Sequence, residues 1–357
     1  MRRRAFLAGA GAASVGLAGC TRFVPGTGGG GTADTLRVGT YQAFVDAPST
    51  SAGEWVKTAF EERTGKTLEW VVRENELNEF IQRRQRGAPM EADAYLGVTP
   101  QDLVRADATL DDDTPLFEGL DTSQVENVGN VEDAFRFDPQ NRVLPTGASY
   151  VCLVYDEGAV EAPTSFDDLL GEAYADSLLL ANPESTATGL LFLLWSLMQK
   201  GADSYLDYWR RLLDNGVRVL GSWSDAYAAY SEGEAPMVVS FSTDQVYAAA
   251  EDQPMSRHQI AFLENQGYAY VDGIGKFATT ERDDLVNEFT SFLLQPEVQR
   301  ETAVKNVGIP TVSNASLPEE YQQYVKVPEE PVQYGYEELA ANMQSWRDEW
   351  ARMAASQ

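Results

Sequence analysis

The sequence predicts an α/β protein built from two lobes with a ligand cleft between them, and three observations lead to this class. From Thr35 onward, short apolar runs of strand type alternate with segments of helical periodicity. Two longer strand patterns, GASYVCLVYD at 147–156 and GYAYVDGIGKFA at 267–278, separate the alternating blocks. At 357 residues, the chain also exceeds the size at which a single hydrophobic core keeps growing. Small ligands are usually held in clefts of this kind.

The first alternating block predicts three strands and three helices. The strands are TLRVGTY, LEWVV and ADAYLGV, and the helices lie near 53–64, 77–86 and 101–106. This order is the βαβ rhythm of a mostly parallel sheet with helices on its faces.

The second block repeats the rhythm with SLLLA, VRVLG and MVVSF as strands. Helices are predicted near 190–199 and 205–213, after Ser224, and near 245–251, and further helices near 284–294, 297–304 and 336–354. We assign 34–147 plus 269–314 to lobe 1 and 148–268 plus 315–357 to lobe 2, joined by two crossing strands.

The N-terminal residues are predicted to be an export signal rather than part of the folded protein. Residues 1–19 combine a twin-arginine pattern, Arg3-Arg4-Ala5-Phe6-Leu7, with an apolar run that ends in the lipobox-like LAGC. This predicts cleavage before Cys20 and a lipid on its thiol, although a cleaved signal with an incidental cysteine is the alternative. Residues 20–33 then form a Gly-rich flexible linker. The protein is therefore expected at the outer face of the cell membrane, extracellular or periplasmic.

The charge balance is strongly acidic. The chain carries 27 Lys and Arg against 55 Asp and Glu, a net charge of −28 that is spread along the whole sequence. Such a surface repels nucleic acid and keeps a protein soluble in very high salt, where screening removes self-repulsion. We therefore expect a halophilic monomer that binds no nucleic acid.

The sequence contains few candidate catalytic residues. The single histidine, His258, lies in the polar stretch QPMSRHQ and is interpreted as a solvated loop residue. Cys152 lies in an apolar strand pattern and is interpreted as a small buried hydrophobe. No nucleophile elbow or phosphate loop appears, and one histidine with one spare cysteine cannot build an ordinary zinc site. The sequence predicts no catalytic residues, no metal site and no cofactor.

Aromatic and hydroxyl side chains stand instead at the ends of predicted elements, where a cleft would be lined. Tyr41 ends the first strand, Ser185-Thr186-Ala187-Thr188 precedes a long apolar helix, and Trp223 precedes another helix. A stretch from Phe241 to Asp244 follows the strand MVVS.

Each of these residues also has a purely structural interpretation. Thr188 would cap its helix and Phe241 would fill a core. Trp223 would pack on Ala228 as a hydrophobic staple, with Ser224 as the helix cap. The residues by themselves leave both interpretations open.

Three long segments resemble one family. ANPESTATGLLFLLWSLMQKG, VRVLGSWSDAYAAYSEGEAPMVVSFSTDQVYA and SFLLQPEVQRETAVKNVGIPTVSNASLPEEY are similar to the thiamine-binding proteins of ABC importers, and the similarity extends over 36–353. The resemblance implies a type II periplasmic-binding-protein fold. It also implies capture of thiamine or its phosphates and delivery to a membrane permease.

The resemblance also implies a set of ligand contacts. They are Tyr41, Asn75, Glu76, Thr186, Ala187, Trp223, Phe241, Ser242, Thr243, Asp244 and Tyr247. Asn75-Glu76 lacks the family's glycine, Ala187 its hydroxyl and Phe241 its phenol, and Asn306-Val307 replaces a further aromatic, so the phosphorylation state of the ligand stays open.

The chemistry of these residues suits a flat organic cation. Trp223 and Tyr247 offer π faces, worth roughly 0.5–2 kcal/mol each, and Glu76 or Asp244 offers a carboxylate. Another small cation such as a polyamine is the alternative ligand. A thiamine-degrading enzyme on the same fold is the alternative class, but it needs a nucleophilic cysteine, and the apolar surroundings of Cys152 do not favour one.

Overall fold

The computed structural model describes residues 34–47 and 51–357. The predicted signal peptide, Cys20 and the Gly-rich linker lie outside the described residues. Among the residues that are described, no helix is both long and apolar enough to cross a membrane.

Eleven strands form one sheet in this part of the chain. The strands are β1 (Thr35–Thr40), β2 (Thr67–Val72), β3 (Ala94–Val98), β4 (Phe117–Glu118), β5 (Val143–Tyr155), β6 (Leu178–Ala181), β7 (Arg218–Leu220), β8 (Met237–Phe241), β9 (Gln259–Ala261), β10 (Gln266–Phe277) and β11 (Glu330–Val332). The main path runs β2-β1-β3-β10-β5-β8-β6-β7, with β4 and β11 paired to β10 and β9 paired to β5.

Twelve α-helices accompany the sheet in the described residues. They are α1 (Gln42–Val45), α2 (Gly53–Thr64), α3 (Glu76–Gln85), α4 (Pro100–Thr109), α5 (Ala187–Lys200), α6 (Tyr205–Asp214), α7 (Trp223–Ser231), α8 (Asp244–Ala250), α9 (Asp283–Leu293), α10 (Pro296–Lys305), α11 (Glu319–Gln322) and α12 (Tyr336–Ala354). Every strand and helix predicted from periodicity is present, within a few residues of its expected bounds.

The parallel pairing expected within each of the two blocks is confirmed, and the two long strands are antiparallel to their neighbours at the centre of the sheet. Parallel pairs lie at the flanks, in β2-β1-β3 and in β8-β6-β7. In the middle, β10 is antiparallel to both β3 and β5, and β5 is antiparallel to β8. Alternating strands and helices predict how strands that are close in sequence connect. The neighbours of β10 in the sheet, β3 and β5, are far from it in sequence, so the alternation could not predict its direction.

Separate apolar clusters flank the two central strands. One contains Phe60, Phe289 and Phe292, whose rings meet edge to face or stacked with centroids 5.1–6.1 Å apart. The other contains Trp209 and Trp350, with ring centroids 5.4 Å apart. The division of the core is compatible with two lobes, whose boundaries stay a prediction.

The last helix, α12, packs against both α4 and α6. The Tyr336 hydroxyl hydrogen-bonds to Asp107 of α4, and the Arg142 guanidinium lies 5.3 Å from the centre of the Tyr336 ring. At the other end, the Tyr205 hydroxyl donates to Glu349 Oε2 at 2.9 Å. The C-terminal helix thus ties together elements that the sequence assigned to different lobes.

Candidate ligand-binding cavity

A cavity of about 770 Å³ opens where β5 and β10 meet the starts of α7 and α8. Its wall is contributed by the end of β1, the middle of β5, the first turn of α7, the end of β8 with the start of α8, the middle of β10 and the end of α10. The residues that carry functional groups there are Tyr41, Thr146, Ser149, Trp223, Ser224, Tyr227, Ser240, Phe241, Thr243, Asp244, Tyr247, Glu251, Tyr270, Asp272, Thr302 and Asn306.

Trp223 is the first residue of α7 and lies on the cavity wall. The helix is capped by Ser222, whose Oγ accepts from the Asp225 backbone N–H at 3.0 Å. The predicted cap at Ser224 is therefore wrong by two positions, because the capping hydroxyl must precede the first helical residue. Trp223 cannot be the residue before the cap that a hydrophobic staple requires. Its side chain is 36% exposed, and its Nε1 donates to Ser240 Oγ at 3.2 Å.

Five aromatic rings form one continuous cluster along this wall. The Trp223 and Tyr227 centroids are 5.1 Å apart, and those of Trp223 and Phe241 are 6.4 Å apart. Tyr227 also meets Tyr247 at 6.5 Å, and Phe241 meets Tyr270 at 5.5 Å. The cluster presents π surface to the cavity, as a flat or cationic ligand requires.

Asp244 is held by two partners, the half-buried Tyr227 and the buried His258. The Tyr227 hydroxyl donates to Asp244 Oδ1 at 2.5 Å, and His258 Nδ1 lies 2.7 Å from Oδ2. The expectation that His258 is a solvated loop residue is wrong, since its side chain is buried against this carboxylate. Burial and the nearby Asp244 carboxylate together raise the pKa of the Tyr227 phenol well above its usual value. Tyr227 therefore stays a neutral hydrogen-bond donor at any ordinary pH.

Tyr41 also lines the cavity. Its hydroxyl accepts from Asn306 Nδ2 at 2.9 Å. Its ring lies over Gly97, where a Cβ would come within 2.7 Å of the ring and where φ is +107°, so only glycine suits this position. Burial raises the pKa of the Tyr41 phenol, and the charge of Asp272 raises it further.

Asp272 is a cavity residue that the sequence reasoning missed. It lies in the middle of β10, opposite Gly147 of β5, and only 8% of it is exposed. Burial raises the pKa of its carboxyl to about 7, although hydrogen bonding by Thr146 and Tyr270 opposes the rise. The available signal was a lone acid inside the otherwise apolar strand pattern GYAYVDGIGKFA, because charged residues are rarely buried in a strand without a role.

The tyrosines at positions 227 and 270 were also missed. Tyr227 follows Trp223 by four residues and so lies on the same helix face, which the helical period would have indicated. Tyr270 belongs to the same strand pattern as Asp272, two residues earlier, and therefore on the same side of the sheet.

Six of the eleven predicted site residues line the cavity: Tyr41, Trp223, Phe241, Thr243, Asp244 and Tyr247. The other five do not line it: Asn75, Glu76, Thr186, Ala187 and Ser242. Asn75 and Glu76 are exposed at the start of α3, where Glu76 adopts the left-handed region with φ of 47°.

Thr186 and Ala187 lie at the start of α5. Thr186 is the helix cap, because its Oγ1 accepts from the Gly189 N–H at 3.1 Å and donates to the Asn182 carbonyl at 2.8 Å. The alternative that Thr188 caps this helix is thus wrong. Ser242 is fully buried, and its backbone N–H donates to the Tyr150 carbonyl at 2.8 Å.

The charged groups of the cavity wall are all acidic. Asp244, Glu251 and Asp272 contribute carboxylates, and neither lysine nor arginine is among the described residues that line the cavity. A wall with this composition attracts cations and repels anions.

Metal binding and nucleophilic attack by a cysteine each depend on a particular arrangement of side chains. No group of three or more His, Cys, Asp or Glu side chains is arranged to hold a metal ion there. Cys152 is fully buried in β5, as expected, and burial raises the pKa of its thiol well above the usual value. Because the thiolate is the nucleophile, this cysteine is unsuited to attack.

One sheet flanked by helices thus carries a cavity that is lined by aromatic rings and whose charged side chains, in the described residues, are all carboxylates. The chain belongs to the bacterial extracellular solute-binding proteins, whose family model matches residues 55–329. It is thus a non-enzymatic solute-binding protein of an ABC importer with the α/β periplasmic-binding-protein fold.

Its relatives include the thiamine-binding periplasmic protein of Escherichia coli, which is 27% identical over 318 residues, covering 89% of this chain and 92% of that protein. A solved periplasmic thiamin-binding protein superimposes with a TM-score of 0.73 at 26% identity, over 89% of this chain and 96% of the other. A spermidine/putrescine substrate-binding protein from Streptococcus pneumoniae shares the fold, with a TM-score of 0.66 at 18% identity over 88% of this chain and 99% of the other.

Proposed function

We propose that this solute-binding protein captures thiamine in the cavity and delivers it to the permease of an ABC importer. One observation carries the proposal: a cluster of aromatic rings faces a cavity whose charged groups, in the described residues, are all carboxylates. The names of the full-length relatives support the same ligand.

Each of the three chemical groups of thiamine has suitable side chains in the cavity wall. Its aminopyrimidine ring is flat and can stack on Trp223 or Tyr247, and its thiazolium carries a fixed positive charge that π faces and carboxylates attract. Its hydroxyethyl tail needs polar atoms such as the Thr243 hydroxyl. The cavity volume of about 770 Å³ lies within the usual range for small-molecule sites.

Isothermal titration in molar salt tests the proposal, with thiamine and thiamine monophosphate as separate ligands. High salt is chosen because the net charge of −28 destabilises a compact fold without screening. We expect saturable binding of thiamine. The absence of heat with both ligands, at protein concentrations that detect micromolar binding, contradicts the proposal.

A polyamine is a second candidate, favoured by the three carboxylates of the wall. Linear polyamines need charge but not stacking, so the five-ring cluster favours thiamine over them. Competition decides between the two. Spermidine that displaces thiamine at equal concentration would favour the polyamine.

We also propose that the protein is anchored to the outer face of the membrane by a lipid on Cys20, after export through the twin-arginine route. The supporting observations are the Arg3-Arg4 pair and the LAGC tetrapeptide. Cys20→Ser should move the protein from the membrane fraction to the medium. Unchanged membrane association of that variant contradicts the anchor.

The two-lobe division is proposed as the basis of ligand capture. Closure of 148–268 plus 315–357 onto 34–147 plus 269–314 would exclude water from the cavity. Small-angle scattering should show a smaller radius of gyration with thiamine than without it, and equal radii would contradict closure.

A further inference from the structure

Asp272 is placed in the cavity by the geometry of the two central strands. It pairs with Gly147 across β5 and β10, and the register of the two strands shifts directly after it. A Cβ on Gly147 would lie 3.1 Å from Asp272 Oδ1, so the carboxylate occupies space that a larger residue at 147 would take. The bare glycine therefore lets a buried acid reach the cavity wall.

The surroundings of this carboxylate contain no compensating positive charge. Its neighbours are the hydroxyls of Tyr41, Thr146 and Tyr270, together with the amide of Asn306 at the end of α10. The one charged side chain that acts on it is another carboxylate, Asp102, which is itself paired with Arg105. Within 34–47 and 51–357, Asp272 forms no ion pair, although a buried charge without a partner is costly.

The other two acidic residues of the wall, Asp244 and Glu251, are not buried carboxylates without a partner. Asp244 is satisfied by Tyr227 and His258, and Glu251 is exposed to solvent. Asp272 is thus the buried lining acid that lacks a protein partner able to neutralise it. A proton or a bound cation is therefore what remains to neutralise it.

We propose that Asp272 is the charge-selecting residue of the cavity, which pairs its carboxylate with the positive charge of the bound ligand and disfavours ligands that carry a phosphate. This inference rests on the proposed function and identifies the preferred form of thiamine as the non-phosphorylated one.

The preference follows from like-charge repulsion at short range. A phosphate group brings one to two negative charges into a cavity that already holds three carboxylates and whose described lining lacks lysine and arginine. Phosphate recognition normally uses basic side chains or a cluster of free backbone N–H groups. In a partly buried site such repulsion is screened less by salt than it is at the surface.

Binding of a cation at Asp272 is expected to release a proton from its carboxyl group. Near pH 7, the unliganded carboxyl is partly protonated, because burial raises its pKa to about 7. A cation beside it favours the charged form, so the proton leaves when the ligand binds. The groups facing Asp272 are the carboxyl of Asp102, which is paired with Arg105, and the phenols of Tyr41 and Tyr270. Burial raises the pKa of both phenols, so neither takes part near neutral pH.

The experiment compares the dissociation constants of thiamine and thiamine monophosphate for the wild type and for Asp272→Asn. Asp112→Asn is the control, since it removes one negative charge from an exposed loop outside the cavity. Asp272→Asn should weaken thiamine binding tenfold or more and reduce the preference for thiamine over its monophosphate, whereas Asp112→Asn should change neither. Thermal melts in the same buffer check that each variant is folded.

Titration of the wild type in two buffers of different ionisation enthalpy provides a second test that needs no variant. Release of up to about half a proton per thiamine near pH 7 is expected, and no buffer dependence overturns the proposal. Equal thiamine affinity of Asp272→Asn and the wild type also overturns it, while the proposed function stands. A wild type that binds no thiamine overturns both.

Discussion

Asp244 Oδ2 lies 2.7 Å from His258 Nδ1, so a carboxylate of the cavity wall contacts a histidine that is buried outside it. The two residues are 14 positions apart and come from the start of α8 and the end of the following loop. Their contact fixes the carboxylate that also accepts from Tyr227, so a residue that never reaches the cavity orients one that lines it.

The first prediction concerns this contact. His258→Ala should lower the free energy of unfolding by about 1–3 kcal/mol, because one oxygen of a buried carboxylate loses its partner. Urea denaturation in molar salt measures the change. His258→Gln, which can still donate to Asp244, should recover part of the loss, and a wild-type midpoint for His258→Ala contradicts the prediction.

Trp223→Ala should weaken thiamine binding by tenfold or more, on the order of 1.4 kcal/mol, while the melting temperature changes little. The reason is that the ring is partly exposed on the cavity wall rather than buried in the core. The matched control is Trp195→Ala, which removes a fully buried ring and should cost about 3–5 kcal/mol of stability. A collapse of stability with unchanged affinity of folded Trp223→Ala would show that the ring is a packing residue.

Gly189 allows α5 to approach β6 closely. A Cβ at this position would lie 2.2 Å from the Ala181 carbonyl oxygen, so Gly189→Ala must displace the helix and should destabilise the protein by about 1–3 kcal/mol. Gly129→Ala is the control, since a Cβ there meets no atom within 4 Å and should change stability by less than about 1 kcal/mol. Equal denaturation midpoints of the two variants would refute the argument.

The stability of the ligand-free protein should depend on pH through Asp272. Its folded pKa of about 7 lies above the ordinary carboxyl value, so the folded state binds more protons than the unfolded chain between about pH 4 and pH 7. The contribution of this group to the free energy of unfolding therefore falls as pH rises through that window. Asp272→Asn lacks the effect, so its stability relative to the wild type should increase from about pH 5 to about pH 8 in urea titrations. A difference that is constant with pH contradicts the assigned pKa.

Cys152 should not react with a thiol reagent in the native protein. Its side chain is fully buried, and its raised thiol pKa keeps it protonated. Absorbance after addition of a disulfide reagent measures the reaction, with protein unfolded in guanidinium as the positive control. Rapid labelling of the native protein would show that β5 opens locally.

The sequence by itself determined the elements and much of the candidate wall. Hydrophobic periodicity is a local property, so α2 and α12 could be predicted within a residue or two of their bounds. The resemblance to the thiamine-binding proteins predicted Tyr41, Trp223 and Asp244 as ligand contacts, and all three line the same cavity. The end of β8 and the start of α7 were recognisable because aromatic and hydroxyl residues at element ends form a local signal.

Only the tertiary structure decided which distant residues meet. The antiparallel placement of β10 between β3 and β5 sets Asp272 against Gly147, 125 positions earlier in the chain. The same folding buries His258 against Asp244, although the sequence around His258 is polar. Burial, charge pairing and pKa depend on neighbours that the fold brings together, whereas periodicity and capping depend on neighbours along the chain, so the first kind of property became visible only in three dimensions.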